Sequence, residues 1–281
     1  MKALAKEYTV SELCAALGVS RSGYYAWAGG TPGPRAQANE RLEKQITALF
    51  AQSRASYGSP RITAALRQRG EHCNHKRVAR LMRQKGLRGR LRRRYRVRTT
   101  DSRHDQPIAP NRLAKQPPCT APDQVWLTDI TYIPTGEGWL YLAGVLDLYS
   151  RKIVGWAMGE SLATALPLAA LSMAVQQRRP AKGLVHHSDR GVQYASEDYR
   201  KKLAAWEMAA SMSRKANCYD NATMESFWST LKHELIYRCG YQTRTQAQQS
   251  IFEWIEVFYN RTRLHSSLGF KSPVDFENQL N

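Results

Sequence analysis

Acidic side chains are scarce in this 281-residue chain: 23 Asp and Glu stand against 42 Lys and Arg, a formal net charge of +19. Such an excess costs self-repulsion in the folded state, so a polyanionic partner is implied, nucleic acid before an anionic membrane. Long apolar runs are also missing. The best candidate, Leu140 to Leu148, falls well short of the roughly 20 residues that cross a bilayer; it contains Asp147 and reads as a buried strand. The opening MKALAKEYTV carries no apolar signal region, so a cytoplasmic protein with no membrane partner is expected. Cysteine is sparse: Cys14, Cys73, Cys119, Cys218 and Cys239 are scattered without CxxC spacing, and their odd number argues against a disulfide framework. His72, Cys73 and His75 have no second pair at zinc-finger spacing.

What is present divides the chain into five stretches. Residues 1–30 read as a short helix-turn-helix-like module: Thr9 and Glu12 have the capping-box pattern, Gly18 breaks the helix and Ser20 can cap the next. A plain helical hairpin fits that pattern equally well. Residues 31–98 form a helical DNA-binding region. Leu42, Ile46 and Leu49 recur at helical spacing, Ser59 and Pro60 open a helix over Ile62, Ala65 and Leu66, and Asn74 caps one burying Val78, Leu81 and Met82. That last helix carries Lys76, Arg77, Arg80 and Arg83. From Arg88 to Arg98 there are seven arginines in eleven residues, Arg92, Arg93 and Arg94 among them; guanidinium forks suit phosphate, so this is read as an arm tracking a DNA backbone, with a solvated basic tail as the alternative. Residues 99–119 are a proline-bearing linker.

Residues 120–238 are read as a catalytic core. Val125 to Ile133, Trp139 to Tyr149 and Lys152 to Gly159 predict an antiparallel meander, followed by helix, strand, helix, strand and helix. The fold class is therefore α/β, a mixed five-stranded sheet with helices on its faces, preceded by small all-α modules. Three carboxylates in this core stand in distinctive contexts: Asp129 in WLTDIT within the first strand, Asp189 in HHSDRGVQY just past the fourth, and Glu225 in NCYDNATMESFWSTLK near the start of the last helix. Singly each has a duller explanation, as strand-end, turn or surface acid. Together, in so basic a chain, they point to a divalent-cation site for phosphoryl transfer, because hard oxygen ligands from separate elements leave coordination positions open for phosphate. At about 100° per residue, Asn221, Glu225, Ser229 and Lys232 line one stripe of the last helix, and Met224, Phe227, Trp228, Leu231 and Leu235 another that can pack on the sheet. His186 is expected to pack or hydrogen-bond rather than face Asp189. Residues 239–281 read as a helical tail with Thr245 as cap, Ile251, Trp254, Ile255 and Phe258 on one face, and Arg261, Arg263 and His265 as candidate DNA contacts.

The strings WLTDITYI, HHSDRGVQYAS, SRKANCYDNATMESFWSTLKHE and YNRTRLHSSLGFKSPVDFE closely resemble the second-frame (OrfB) product of bacterial insertion-sequence transposases of the IS-three family, over about Leu4 to Phe276. The resemblance implies a retroviral-integrase-like, RNase H-like core, with Asp129, Asp189 and Glu225 as the DDE triad and Lys232 as the basic residue that follows it. It implies two Mg²⁺ ions, with Mn²⁺ able to substitute. It also implies cleavage at the insertion-sequence ends to free a 3′-hydroxyl and attack of that hydroxyl on a second phosphodiester, the first joining being between the two ends of one element. Lys232 and Arg190 would position phosphates. The implied partners are double-stranded DNA of the ends and target, further copies of the chain on DNA, and the upstream-frame (OrfA) product. Two departures, Ala216 for the usual glycine and Trp228 for a smaller aromatic, are expected not to touch a metal ligand. Rival readings are a non-catalytic DNA-binding regulator with an idle triad and a nuclease acting on RNA–DNA hybrids.

Overall fold

The computed structural model describes residues 4, 7–30, 33–89, 106–115, 117–214 and 221–279. Arg92, Arg93, Arg94, Ala216, Cys218 and Asp220 lie outside the described residues. The chain divides into two compact units, 1–89 and 90–281. Among the described residues no helix is long and apolar enough to cross a membrane.

Helices of the first unit start where side-chain oxygens satisfy the orphan N–H groups of a first turn. α1 (Val10–Ala16) opens on the capping box: Glu12 N donates to Thr9 Oγ1 at 3.3 Å and Thr9 N to Glu12 Oε2 at 2.8 Å. Ser20 Oγ accepts from Gly23 N at 3.0 Å to start α2 (Arg21–Ala28), none of whose residues is buried. α3 (Pro34–Gln52), α4 (Ser59–Gln68) and α5 (His75–Gln84) bury the residues that helical periodicity picks out, Leu42, Ile46 and Leu49 with Ile62, Ala65, Leu66, Val78, Leu81 and Met82. The cap of α4 is Gly58, not Ser59. Pro60 therefore stands at the second helical position, where a missing N–H still costs no intrahelical bond, and Ser59 Oγ meets His75 Nε2 at 2.9 Å instead of capping.

The second unit is built on β1 (Val125–Thr135), β2 (Gly138–Asp147), β3 (Ile153–Gly159), β4 (Val185–Ser188) and β5 (Ala209–Met212), arranged in the order β3-β2-β1-β4-β5. The first three form the predicted antiparallel meander; β4 and β5 run parallel to β1. Parallel neighbours need crossovers, supplied by α6 (Ala165–Arg178) and then by α7 (Val192–Ala195) with α8 (Glu197–Ala205). Alternate strand residues face opposite sides. On one side Trp126, Ile130, Ala143 and Val145 join Leu166, Ala170, Leu171, Tyr199 and Leu203 in the main core. Gly155 permits this approach, since a Cβ there would lie 2.3 Å from Ala170 O. The other side receives α9 (Ala222–Glu234) and α10 (Arg244–Glu253).

The cap of α10 is Thr243, in a capping box with Gln246, rather than Thr245. A π-helical stretch, Trp254–Tyr259, continues it and buries Trp254, Ile255, Phe258 and Tyr259. Asn260 then closes the outer edge of β3, accepting from Ile153 N and donating to Ile153 O, both at 3.0 Å. Glu277 of α11 (Pro273–Glu277) pairs with Arg178 at 2.9 Å and Lys152 at 3.1 Å, tying the C-terminal helix to α6 and the β2–β3 turn.

Candidate active site

Asp129 sits midway along β1, and each of its carboxylate oxygens accepts one hydrogen bond: Oδ1 from Ile130 N at 2.8 Å and Oδ2 from Trp228 Nε1 at 3.0 Å. Asp189 follows β4 directly. The parallel register sets Val125 beside Val185 and Leu127 beside His187, so two more residues along it bring Asp189 level with Asp129. Asp189 Oδ1 accepts from Gly191 N at 2.8 Å, an Asx-type turn that ends the strand. Glu225 arrives on the first turn of α9. Its place is set by Gly144, the cross-strand partner of Asp129: a Cβ there would stand 2.9 Å from Met224 Cε and 3.0 Å from Trp228 Cη2, so the helix rests directly on that glycine. Met224, Phe227, Trp228, Leu231 and Leu235 are buried as the stripe predicts, which leaves Glu225 exposed and Lys232 half-buried. Arg151, in the β2–β3 turn, secures the same turn of the helix from below, donating Nη1 to Thr223 Oγ1 at 2.6 Å.

Burial, then the charge of Asp189, and to a smaller extent that of Glu225, push the Asp129 carboxyl up to about 8 against the two N–H groups that hold it down. Burial lowers the Lys232 ammonium, while the charge of Asp129 lifts it. Among the described residues no three His, Cys, Asp or Glu side chains stand close enough to clasp a metal ion as they are. The donor set nevertheless suits a hard divalent cation: carboxylates from β1, the end of β4 and α9, near enough for Asp129 to feel both other charges, and a cation would relieve that repulsion. One consequence is measurable without DNA. A carboxyl whose folded pKa lies above its unfolded value takes up a proton on folding, so its contribution is full at low pH and is lost as pH rises through about 8. The melting temperature of metal-free protein should therefore fall between about pH 6 and about pH 9, and fall less in Asp129→Asn. Identical, flat profiles for both proteins would refute the raised carboxyl.

The neighbourhood explains several further residues. His186 is buried, meets Tyr199 Oη at 3.0 Å, and is held neutral with a pKa lowered to about 3, mainly by burial. His187 lies between Ser211 Oγ and Ser213 Oγ at 2.8 and 3.0 Å. Arg190, next to Asp189 in sequence, donates Nε to Ser213 O at 2.8 Å, which anchors its guanidinium on the segment that follows β5. Sequence reasoning missed the contact of Trp228 with Asp129, one of the three carboxylates that this position was expected not to touch. The signal was present in the residue type, because a buried indole N–H needs an acceptor and the stripe places it over β1. Arg263, a candidate DNA contact in the sequence, does not face solvent. It is buried and paired with Glu234 at 2.7 Å, because the chain folds back under α9 after the π-helical stretch. In the first unit, Lys76, Arg80 and Arg83 stand exposed on α5, whereas Arg77 is half-buried and donates Nε to Asn39 Oδ1 of α3 at 2.9 Å.

Comparison with known proteins finds an HTH-like domain over residues 37–95 and an integrase core domain over residues 120–218, with a second integrase core model over 206–273. An uncharacterized 31 kDa protein of insertion element IS600 from Shigella sonnei is 46% identical over 269 residues, covering 96% of this chain and 98% of that one. The transposase InsF for insertion sequence IS3A from Escherichia coli K12 is 38% identical over 275 residues, covering 97% of this chain and 95% of its own. Among solved structures, a simian T-cell lymphotropic virus intasome matches with a TM-score of 0.49 at 12% identity, covering 83% of this chain and 74% of that one. That structural likeness is too distant to bear on the chemistry.

Proposed function

We propose how a chain that belongs to the IS3 family of insertion-sequence transposases, as this one does, cuts and joins DNA with its integrase core. Asp129, Asp189 and Glu225 are its catalytic residues and the ligands of two Mg²⁺ ions, for which Mn²⁺ can substitute. When bound, such ions activate the attacking oxygen and stabilise the leaving one of an in-line displacement. The protein's own part is placement. Asp129 comes first of the three carboxylates in sequence yet feels the charge of both others, and its two hydrogen bonds leave about two of its four lone-pair sites open. Lys232, close enough to sense the charge of Asp129, and Arg190, anchored on Ser213, hold phosphate oxygens.

Two displacements follow one another at this centre. Water first opens a phosphodiester at the element end and frees a 3′-hydroxyl; that hydroxyl then attacks a second phosphodiester, each attack expelling a 3′-oxygen, and no covalent link to the enzyme is needed. Joining of one end to the other, before insertion into target, is the order that family membership favours. In the division proposed, residues 1–30 and 31–98 serve duplex recognition through Lys76, Arg80, Arg83 and the arm with Arg92, Arg93 and Arg94, 99–119 link, 120–238 carry the chemistry and 239–281 brace α9. Arg77 supports this surface by fixing α5 to α3. Two DNA ends call for more than one copy of the chain, and the OrfA product is a further partner.

What supports the catalytic reading most is one geometric fact: the β1–β4 register and the seating of α9 on Gly144 converge on Asp129 from two sides. The test is purified full-length chain with Mg²⁺ and labelled duplexes copied from the ends that flank its gene. Cleaved and joined products that vanish in Asp129→Asn are expected. Products undiminished in that variant would sink the assignment.

A further inference from the structure

We propose that Trp228 is a positioning residue for the metal site: its indole N–H holds the Asp129 carboxylate in the one orientation that turns the remaining lone pairs toward the cation. This rests on the reading of Asp129 as a metal ligand. The donor is fixed on several sides. Trp228 is only 6% exposed, its ring meets the Phe227 ring at 4.8 Å between centroids, and its six-membered edge lies 3.0 Å from where a Cβ on Gly144 would be. The N–H direction is thereby set by packing rather than by the bond it makes.

The two hydrogen bonds of Asp129 are not equivalent. Oδ1 is held by the N–H of the very next residue, a contact local to the strand, whereas Oδ2 is held from α9, 99 residues away in sequence. That helix also carries Glu225, three positions before Trp228 and so on the neighbouring part of its surface. One rigid element therefore delivers a ligand and the hydrogen bond that orients a second ligand. Their relative placement is fixed by the helix itself. Partners of this kind around ligating carboxylates are worth about 10- to 100-fold in metal affinity.

The test compares full-length wild type, Trp228→Phe, and a protein with 3-benzothienylalanine at position 228, in which sulfur replaces the ring N–H and the bicyclic shape is kept. Mn²⁺ binding is read without DNA from the electron paramagnetic resonance signal of the free ion, beside melting temperature and the Mg²⁺ dependence of end cleavage. Both variants should bind Mn²⁺ about tenfold more weakly, with the rate at saturating Mg²⁺ within about threefold of wild type and the benzothienyl protein melting as wild type does. Wild-type Mn²⁺ affinity in the benzothienyl protein would overturn the proposal, because the indole would then act by packing alone. Asp129→Asn serves as the control: wild-type Mn²⁺ binding there would instead overturn the assignment of the metal site itself.

Discussion

Replacing Glu225 by glutamine is expected to slow end cleavage and strand joining by at least about a thousandfold, equivalent to about 4 kcal/mol of transition-state stabilisation, with duplex binding within about twofold of wild type. The amide keeps the shape of the side chain and removes its charge. Glu225 is exposed and takes no part in the buried stripe of α9, so the helix should stay seated on Gly144 and the variant should melt close to wild type. Losing that charge also removes one of the influences that raise the Asp129 carboxyl, so the decline of stability with pH should become shallower. Single-turnover rates on labelled end duplexes, read beside gel-shift affinity, separate chemistry from binding. A rate above about a tenth of wild type would remove Glu225 from the catalytic centre, and an unchanged biological effect of the variant would return the idle-triad regulator to consideration.

Truncating Arg263 to alanine should cost about 3–5 kcal/mol of stability, because it strands the Glu234 carboxylate in the interior. The pair is bidentate, Nη2 to Oε1 at 2.7 Å and Nε to Oε2 at 2.8 Å, with the two side chains only 5% and 10% exposed. Glu234 closes the helix that also carries Glu225 and Lys232, so a local loosening would reach the site. Removing both charges together, as in Glu234→Leu with Arg263→Met, should cost clearly less than Arg263→Ala alone, since no buried charge is left unpaired. Urea unfolding of the three proteins measures this. Loss of DNA affinity in Arg263→Ala at unchanged stability would restore the reading of Arg263 as a DNA contact.

Much of the site could be read along the chain because the signals were local. Capping boxes, the apolar stripes of α5 and α9, and the alternation of β1 and β2 each depend on residues within a turn or a strand of one another, and each carboxylate announced itself by its immediate context. The misjudged positions have two causes, a helix start shifted by a residue or two and a partner far along the chain. Ser59 lost its cap role to Gly58 and meets His75 instead, and Thr245 yielded to Thr243, whose oxygen meets the N–H of Gln246. Arg77 and Arg263 look like solvent-facing cations in sequence, yet both found partners on elements distant along the chain.

By itself the sequence determined the charge that calls for a polyanion, the helices and strands, the α/β class and the three acids with the lysine that follows them, since periodicity, capping and residue chemistry act over a few positions. Which groups meet depended on packing between elements far apart in the chain. The β1–β4 register levels Asp189 with Asp129, the missing side chain of Gly144 admits α9, and the indole of Trp228 reaches Asp129 across 99 residues of chain. Those contacts depend on how two faces of a sheet are covered, and close packing of distant elements is a property that no local pattern encodes.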